Sequence, residues 1–210
     1  MFVLTIDRRA SRADASAQNI AALRESLQRA LPRPLLGWDV SAGDELQALY
    51  DDAALALRAV LHLADAGTWH VGLGIGAVDS PLGASVRETT GPAFVAARDA
   101  VGQAKERETP VVRGGEWAER AGTVLDLVCA VRARRTPSGA EAAGLADLGR
   151  TQQEMAHTLG IAQSSVSRRL GAALWQQEHA VHDVLVDLFE LADTPRHPMT
   201  ADHEDRGGRS

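Results

Sequence analysis

Apolar residues follow two periods over the first 115 positions and only one after them. "FVLTID" (2–7) is a short apolar run ending in a carboxylate, the pattern of a buried strand. Ile20, Leu23, Leu27 and Leu31 then recur at helical spacing, predicting a helix over 15–30 that "PRP" at 32–34 stops. "LLGWDV" and "ELQALY" predict two strands around "SAGD", a hairpin with Gly43 at the tight position. A helix from about Asp52 to Asp65 lines up Leu55, Ala59 and Leu63. "WHVGLGIGAV" (69–78) predicts a strand whose glycines leave one face bare. A polar loop over 79–90, a helix over 92–107 and a last strand in "TPVVRGG" complete the section. The order β-α-β-β-α-β-α-β predicts an α/β (α+β) domain with a mixed sheet.

From Glu116 onward the strand pattern is gone. The spacing predicts helices over 116–135, 140–148, 151–159 and 162–192, with "TPSG" separating the first two. The expected organisation is an α/β domain over 1–114 and an all-α domain over 115–193. The polar, proline-interrupted tail over 194–210 is expected to be disordered.

Within the helical section, "TQQEMAHTLGIAQSSVSRRL" (151–170) has the spacing of a helix-turn-helix. Ala156 is small where a second helix would cross, Gly160 follows where the turn needs φ > 0, and Val166 faces inward six residues later. Met155, Leu159, Ile161 and Leu170 fill the remaining core positions, and Thr151 with Glu154 forms a capping box. Gln163, Ser164, Ser165, Ser167, Arg168 and Arg169 are left facing outward, with Gln152 opening the first helix. Glutamine can pair with adenine in the major groove, while Arg and Ser serve bases or phosphates. DNA is therefore the expected partner. The segment is similar to those of repressors and sigma factors.

Charge sharpens this picture. The chain carries a net −6, but residues 113–170 alone carry +2, and that section holds the helix-turn-helix pattern. The single cysteine, Cys129, excludes an internal disulfide and a cysteine-built zinc site. No run approaches the ~18 apolar residues of a membrane span. A cytoplasmic protein without membrane contact is expected. Of the 22 basic residues 21 are Arg, which reflects genomic base composition more than function.

Beyond residue 173, Leu174, Val181 and Leu188 recur every seven residues, with Val184, Leu185 and Leu191 beside them. Two readings stand open: packing against the chain's own helices, or the seam of a homodimer. His179 and His182, three apart and without a third ligand in view, are read as solvated.

In the front section Asp7, the hairpin "AGDEL" (42–46), the strand "VGLGIG" (71–76) and "GPAFVAARDAVGQAK" (91–105) come in an order that resembles the palm domains of GGDEF diguanylate cyclases and class III nucleotide cyclases. That resemblance implies two divalent ions, Mg²⁺ or Mn²⁺, held by Asp7 and by Asp44 or Glu45, and it admits a nucleotide ligand. Arg8, Arg12 and Arg98 are the phosphate-contact candidates, Arg98 because it matches the cyclase arginine. Other positions depart from the pattern. Ala42 and Leu46 replace the hairpin Gly and Phe, and Phe94 and Val95 stand where the transition-state Asn belongs. Ordinary roles for Asp7 and Asp44 are a cap and a turn. With the helical section included, residues 1–175 resemble the SatD family. What this implies is a regulatory protein with an associated DNA-binding segment; the first expectation is a DNA-binding regulator with a degenerate cyclase-like sensory or dimerisation domain. The alternative is a metal-dependent nucleotidyl cyclase or nucleotidyltransferase.

Overall fold

The computed structural model describes residues 1–9, 17–42 and 45–194, so the expected tail beyond 194, Arg12, Gly43 and Asp44 lie outside the described residues. Five strands form one mixed sheet: β1 (Phe2–Arg8), β2 (Leu36–Ala42), β3 (Glu45–Tyr50), β4 (Trp69–Ile75) and β5 (Val111–Arg113), in the order β2-β3-β1-β4-β5. β1 is central because it is apolar on both sides, buried at every residue from Phe2 to Asp7. It runs antiparallel to β3 and to β4, with Phe2 opposite both Tyr50 and Ile75, and β5 adds in parallel to β4. With α1 (Ala17–Ala30) between β1 and β2 and α2 (Ala53–Ala66) between β3 and β4, two βαβ units interleave their strands. α2 starts at Asp52, whose side chain accepts the Leu55 N–H at 2.8 Å, as its sequence position suggests.

The bare face of β4 is filled by backbone. A Cβ on Gly72 would stand 2.3 Å from the Val101 nitrogen, and one on Gly74 would stand 2.1 Å from the Ala93 oxygen. Both contacts belong to α3 (Pro92–Ala104), which lies directly on the strand. The other face of the sheet carries the main core. There Phe2, Leu4 and Ile6 meet α2, α4 (Glu116–Ala133) through Ala121, Leu125 and Val128, and α8 (Trp175–Asp193) through Leu185 and Phe189. Burying a side chain the size of Leu185 or Phe189 contributes about 1.5–3 kcal/mol each. One core therefore runs across the boundary expected at 114/115.

The remaining helices, α5 (Pro137–Asp147), α6 (Gln152–Leu159) and α7 (Gln163–Ala172), close on a smaller core of Ala142, Ala146, Met155, Val166 and Leu170. α5 begins three residues earlier than its apolar pattern indicates, because Thr136 caps it and Pro137 takes its first position. The continuous helix expected over 162–192 is corrected. It breaks after Ala173, where Leu174 takes the left-handed conformation (φ 51°, ψ 33°) and α8 starts anew. The break has a packing reason. It leaves Val166 and Leu170 with α5 and α6 while turning Leu185 and Phe189 onto the sheet. Arg135 Nε donates to the freed Ala173 carbonyl at 2.9 Å. Of the seven-residue series and its neighbours, Leu185 is fully buried and Val181 and Leu188 pack partly on the core, whereas Leu174, Val184 and Leu191 are exposed. No helix among the described residues is long and apolar enough to cross a membrane.

Candidate functional site

Sheet register brings two of the expected metal ligands together. Ile6 on β1 stands opposite Leu46 on β3, and one residue beyond that pair come Asp7 and Glu45. Like charges on neighbouring strands repel. The structure answers with a cation of its own. The ammonium of Lys105, which caps the C-terminus of α3, lies 2.6 Å from Asp7 Oδ2 and 3.1 Å from Glu45 Oε1. The Asp7 hydrogen bond, against some desolvation and with Glu45 adding to it, raises the Lys105 ammonium above its ordinary value. Asp7 is buried and Lys105 remains 41% exposed in its side chain, so the triad sits at the rim of the sheet. His70, opposite Asp7 on β4, donates Nδ1–H to the Ala104 carbonyl at 3.0 Å and fastens the same helix end. A divalent ion placed between Asp7 and Glu45 would share its position with an ammonium. These residues, as they stand, do not fit the metal that the resemblance implies.

The phosphate candidates separate. Arg8 is exposed at the end of β1. Arg98 is exposed on α3, seven residues before Lys105 and thus about 10 Å away along the axis. Arg9 is structural: Nε donates to the Trp69 carbonyl at 3.1 Å and Nη2 to the Glu108 carbonyl at 2.6 Å.

A second arrangement stands on α6 and α7. Thr151 Oγ1 accepts the Glu154 N–H at 3.2 Å and the Glu154 carboxylate accepts the Thr151 N–H at 2.8 Å, so the helix start read from sequence is present. Gly160 turns the chain at φ 62°, with no atom within 4 Å of where a Cβ would stand. Glycine is needed there for conformation and not for space. Val166 and Leu170 pin α7 to Met155 and to α5. This leaves Gln163, Ser164, Ser167 and Arg168 exposed on a helix that carries no acidic residue. Ser165 is half-buried and its Oγ accepts from Arg168 Nη2 at 3.2 Å. Gln152 is half-buried at the first position of α6. Arg169 differs from the outward position expected of it: it is half-buried beside α5, 3.5 Å from Glu141 Oε2.

Comparisons with protein-family models, with curated proteins and with solved structures returned no match. Residue geometry therefore carries the reading.

One group of charges was invisible to sequence pattern. Glu178 on α8, 4% exposed, receives Arg132 Nη1 at 2.9 Å and Arg135 Nη2 at 3.0 Å. Arg132 Nε also reaches Asp65 on α2 at 3.0 Å, and His182 Nε2 meets Glu178 Oε1. Burial alone would raise the Glu178 carboxyl. Hydrogen bonds and charge from His182, Arg132 and Arg135 outweigh it and hold the group at about 2. His182, expected to be solvated, is thus half-buried in this cluster, while exposed His179 stacks on Trp175 at 4.9 Å. The signal available beforehand was Arg132, Arg135 and Glu178 on apolar helices, without any indication that they meet. Beside the cluster a cavity of about 450 Å³ separates α2 and α4 from α5, lined by Arg9, Asp65, Arg132, Arg135 and Asp147 among others. Cys129 also faces it, and burial pushes its thiol up to about 12.

Proposed function

We propose that the chain is a DNA-binding transcriptional regulator in which α6 and α7 form a helix-turn-helix and α7 enters the major groove. The observation that carries this reading is the pairing of a fixed frame with an open face. Gly160, the Thr151–Glu154 box and the buried Val166 and Leu170 set α7 rigidly. Gln163, Ser164, Ser167 and Arg168 then project from it without acidic neighbours on the helix. Gln163 and Ser164 in the first turn read base edges, Arg168 meets a phosphate or a guanine, and Gln152 contacts backbone at the start of α6. The front unit, similar to palm domains in its interleaved βαβ order, acts as a degenerate cyclase-like module that senses a ligand or holds a homodimer.

Selection of duplexes from a random-sequence pool by the purified protein, followed by footprinting, tests the reading. An enriched motif is expected, and a dimer gives two half-sites about 34 Å apart. Equal retention of all duplexes at physiological salt would overturn it. The adjacency of Asp7 and Glu45 favours a second reading, a Mg²⁺- or Mn²⁺-dependent nucleotidyl cyclase. Lys105 between them weighs against it. Incubation with the four nucleoside triphosphates and either metal separates the two, because a cyclic product lost in Asp7→Asn requires the enzyme.

A further inference from the structure

We infer that Lys105 is the resident cation of the Asp7–Glu45 site, a tethered ammonium standing where the palm domains that the front unit resembles would hold a divalent ion, and that removing its charge turns the site into one for Mn²⁺ or Mg²⁺. Three observations carry this. The register of β1 and β3 puts both carboxylates at one rim of the sheet, where a cation between them relieves their repulsion. The ammonium meets that need at 2.6 and 3.1 Å, distances of charge-assisted hydrogen bonds. Its backbone is fixed, since α3 lies against Gly72 and Gly74 so closely that no side chain fits between them. A charge attached to a fixed helix end competes with a dissolved ion at high effective concentration.

Residue type supports the same conclusion. Lys105 is the only lysine in a chain whose other 21 basic residues are Arg. Every other cationic side chain in an ion pair among the described residues is Arg or His, including the half-buried Arg132 and Arg135. Arg132 also spans two carboxylates, Asp65 and Glu178, but with a planar fork that presents a different N–H to each, whereas an ammonium is a compact point charge that meets two oxygens from one position, as a metal ion does. The one place that uses lysine is the place where a metal-like point charge is needed. The inference uses the cyclase-like reading of the front unit only to name the ion displaced. DNA binding plays no part in its test, so the two can fail separately.

The test is Mn²⁺ titration followed by the electron paramagnetic resonance of the free aqua ion, with thermal melts in parallel, on the full chain. Wild type is expected to leave the free-ion signal as in buffer, and its melting to ignore Mn²⁺. Lys105→Met should bind Mn²⁺ with an apparent Kd lowered by at least about tenfold, since an opposing unit charge at hydrogen-bond range shifts such equilibria by one pKa unit or more. Adding Asp7→Asn to Lys105→Met should abolish that binding. Lys105→Arg, which keeps the charge, should remain metal-blind. Should Lys105→Met not fold, Lys105→Gln supplies a neutral polar replacement with the same expectation. Binding of Mn²⁺ by wild type that disappears in Asp7→Asn would overturn the inference. So would a folded Lys105→Met or Lys105→Gln that gains no affinity.

Discussion

The rim of the sheet and the outer face of α7 treat their polar groups in opposite ways. At the rim, Asp7 and Glu45 are closed off by an internal cation, and the helix that supplies it is pressed onto the neighbouring strand. On α7 the frame is just as firmly built, yet Gln163, Ser164 and Ser167 face outward, and exposed Arg168 bonds to Ser165 one turn before it. Polar groups that satisfy one another inside a fold stabilise it and have little left for a partner. Groups held in place by buried neighbours, but not satisfied by them, are what an external ligand can read. On the proposed reading, this difference puts DNA recognition at the helical end of the chain.

The comparison depends on the two regions being joined, and the strongest way to break it is at Glu178. Glu178→Ala leaves the half-buried Arg135 without a carboxylate and Arg132 with Asp65 in place of two partners. Loss of one partner in such a cluster costs about 3–5 kcal/mol, readable by urea denaturation followed by circular dichroism. A loss below about 1 kcal/mol would make the joint dispensable. Acid probes the same group. Its folded value of about 2 lies below the ordinary 4.5, so the stability it contributes is fully present above pH 4.5 and is lost as pH falls towards 2. That shift corresponds to about 3 kcal/mol, and Glu178→Gln should flatten the stability curve in this window.

Smaller changes sharpen the helical side. Gly160→Val forces a β-branched residue into the left-handed region and should cost about 2 kcal/mol, although nothing crowds the site. Gly171 is the converse case. It lies exposed in α7 with nothing within 4 Å of an added Cβ, so Gly171→Ala should raise stability by about 0.5–1 kcal/mol in the same urea assay. A gain at Gly160 or a loss at Gly171 would mean that the turn lies elsewhere.

Much of this frame was legible beforehand, because it is local. Strand and helix periods located every strand and α-helix of the sheet unit, though not the 3-10 turn at Val86–Glu88, and the capping box and Gly160 fell out of spacing within twenty residues. The carboxylate pair was legible only through the palm-domain resemblance, which left Asp44 or Glu45 open as the partner of Asp7; of the two, Glu45 is the described one and shares Lys105 with Asp7. The pair's counter-ion was not legible, because Lys105 is joined to Asp7 only through tertiary packing almost a hundred residues later. The same reason hid the Glu178 cluster. The break at Leu174 lacked any mark, since Ala172, Ala173 and Leu174 are all good helix formers and the left-handed residue is not a glycine. An apolar stripe on α8 predicts burial but not the surface that buries it. Leu185 and Phe189 thus turned out to belong to the sheet's own core.

The most direct measurement is the salt dependence of binding to a selected duplex, compared between wild type and Arg168→Ala by fluorescence anisotropy. Arg168 is exposed, so its loss should change folding stability by less than about 0.5 kcal/mol. If it meets a phosphate, the variant should bind more weakly, and the slope of log K against log salt should flatten by about 0.9. Lys105→Met, measured beside it, should bind DNA as wild type does. An Arg168→Ala protein with unchanged affinity and unchanged slope would contradict the assignment of α7 to the groove.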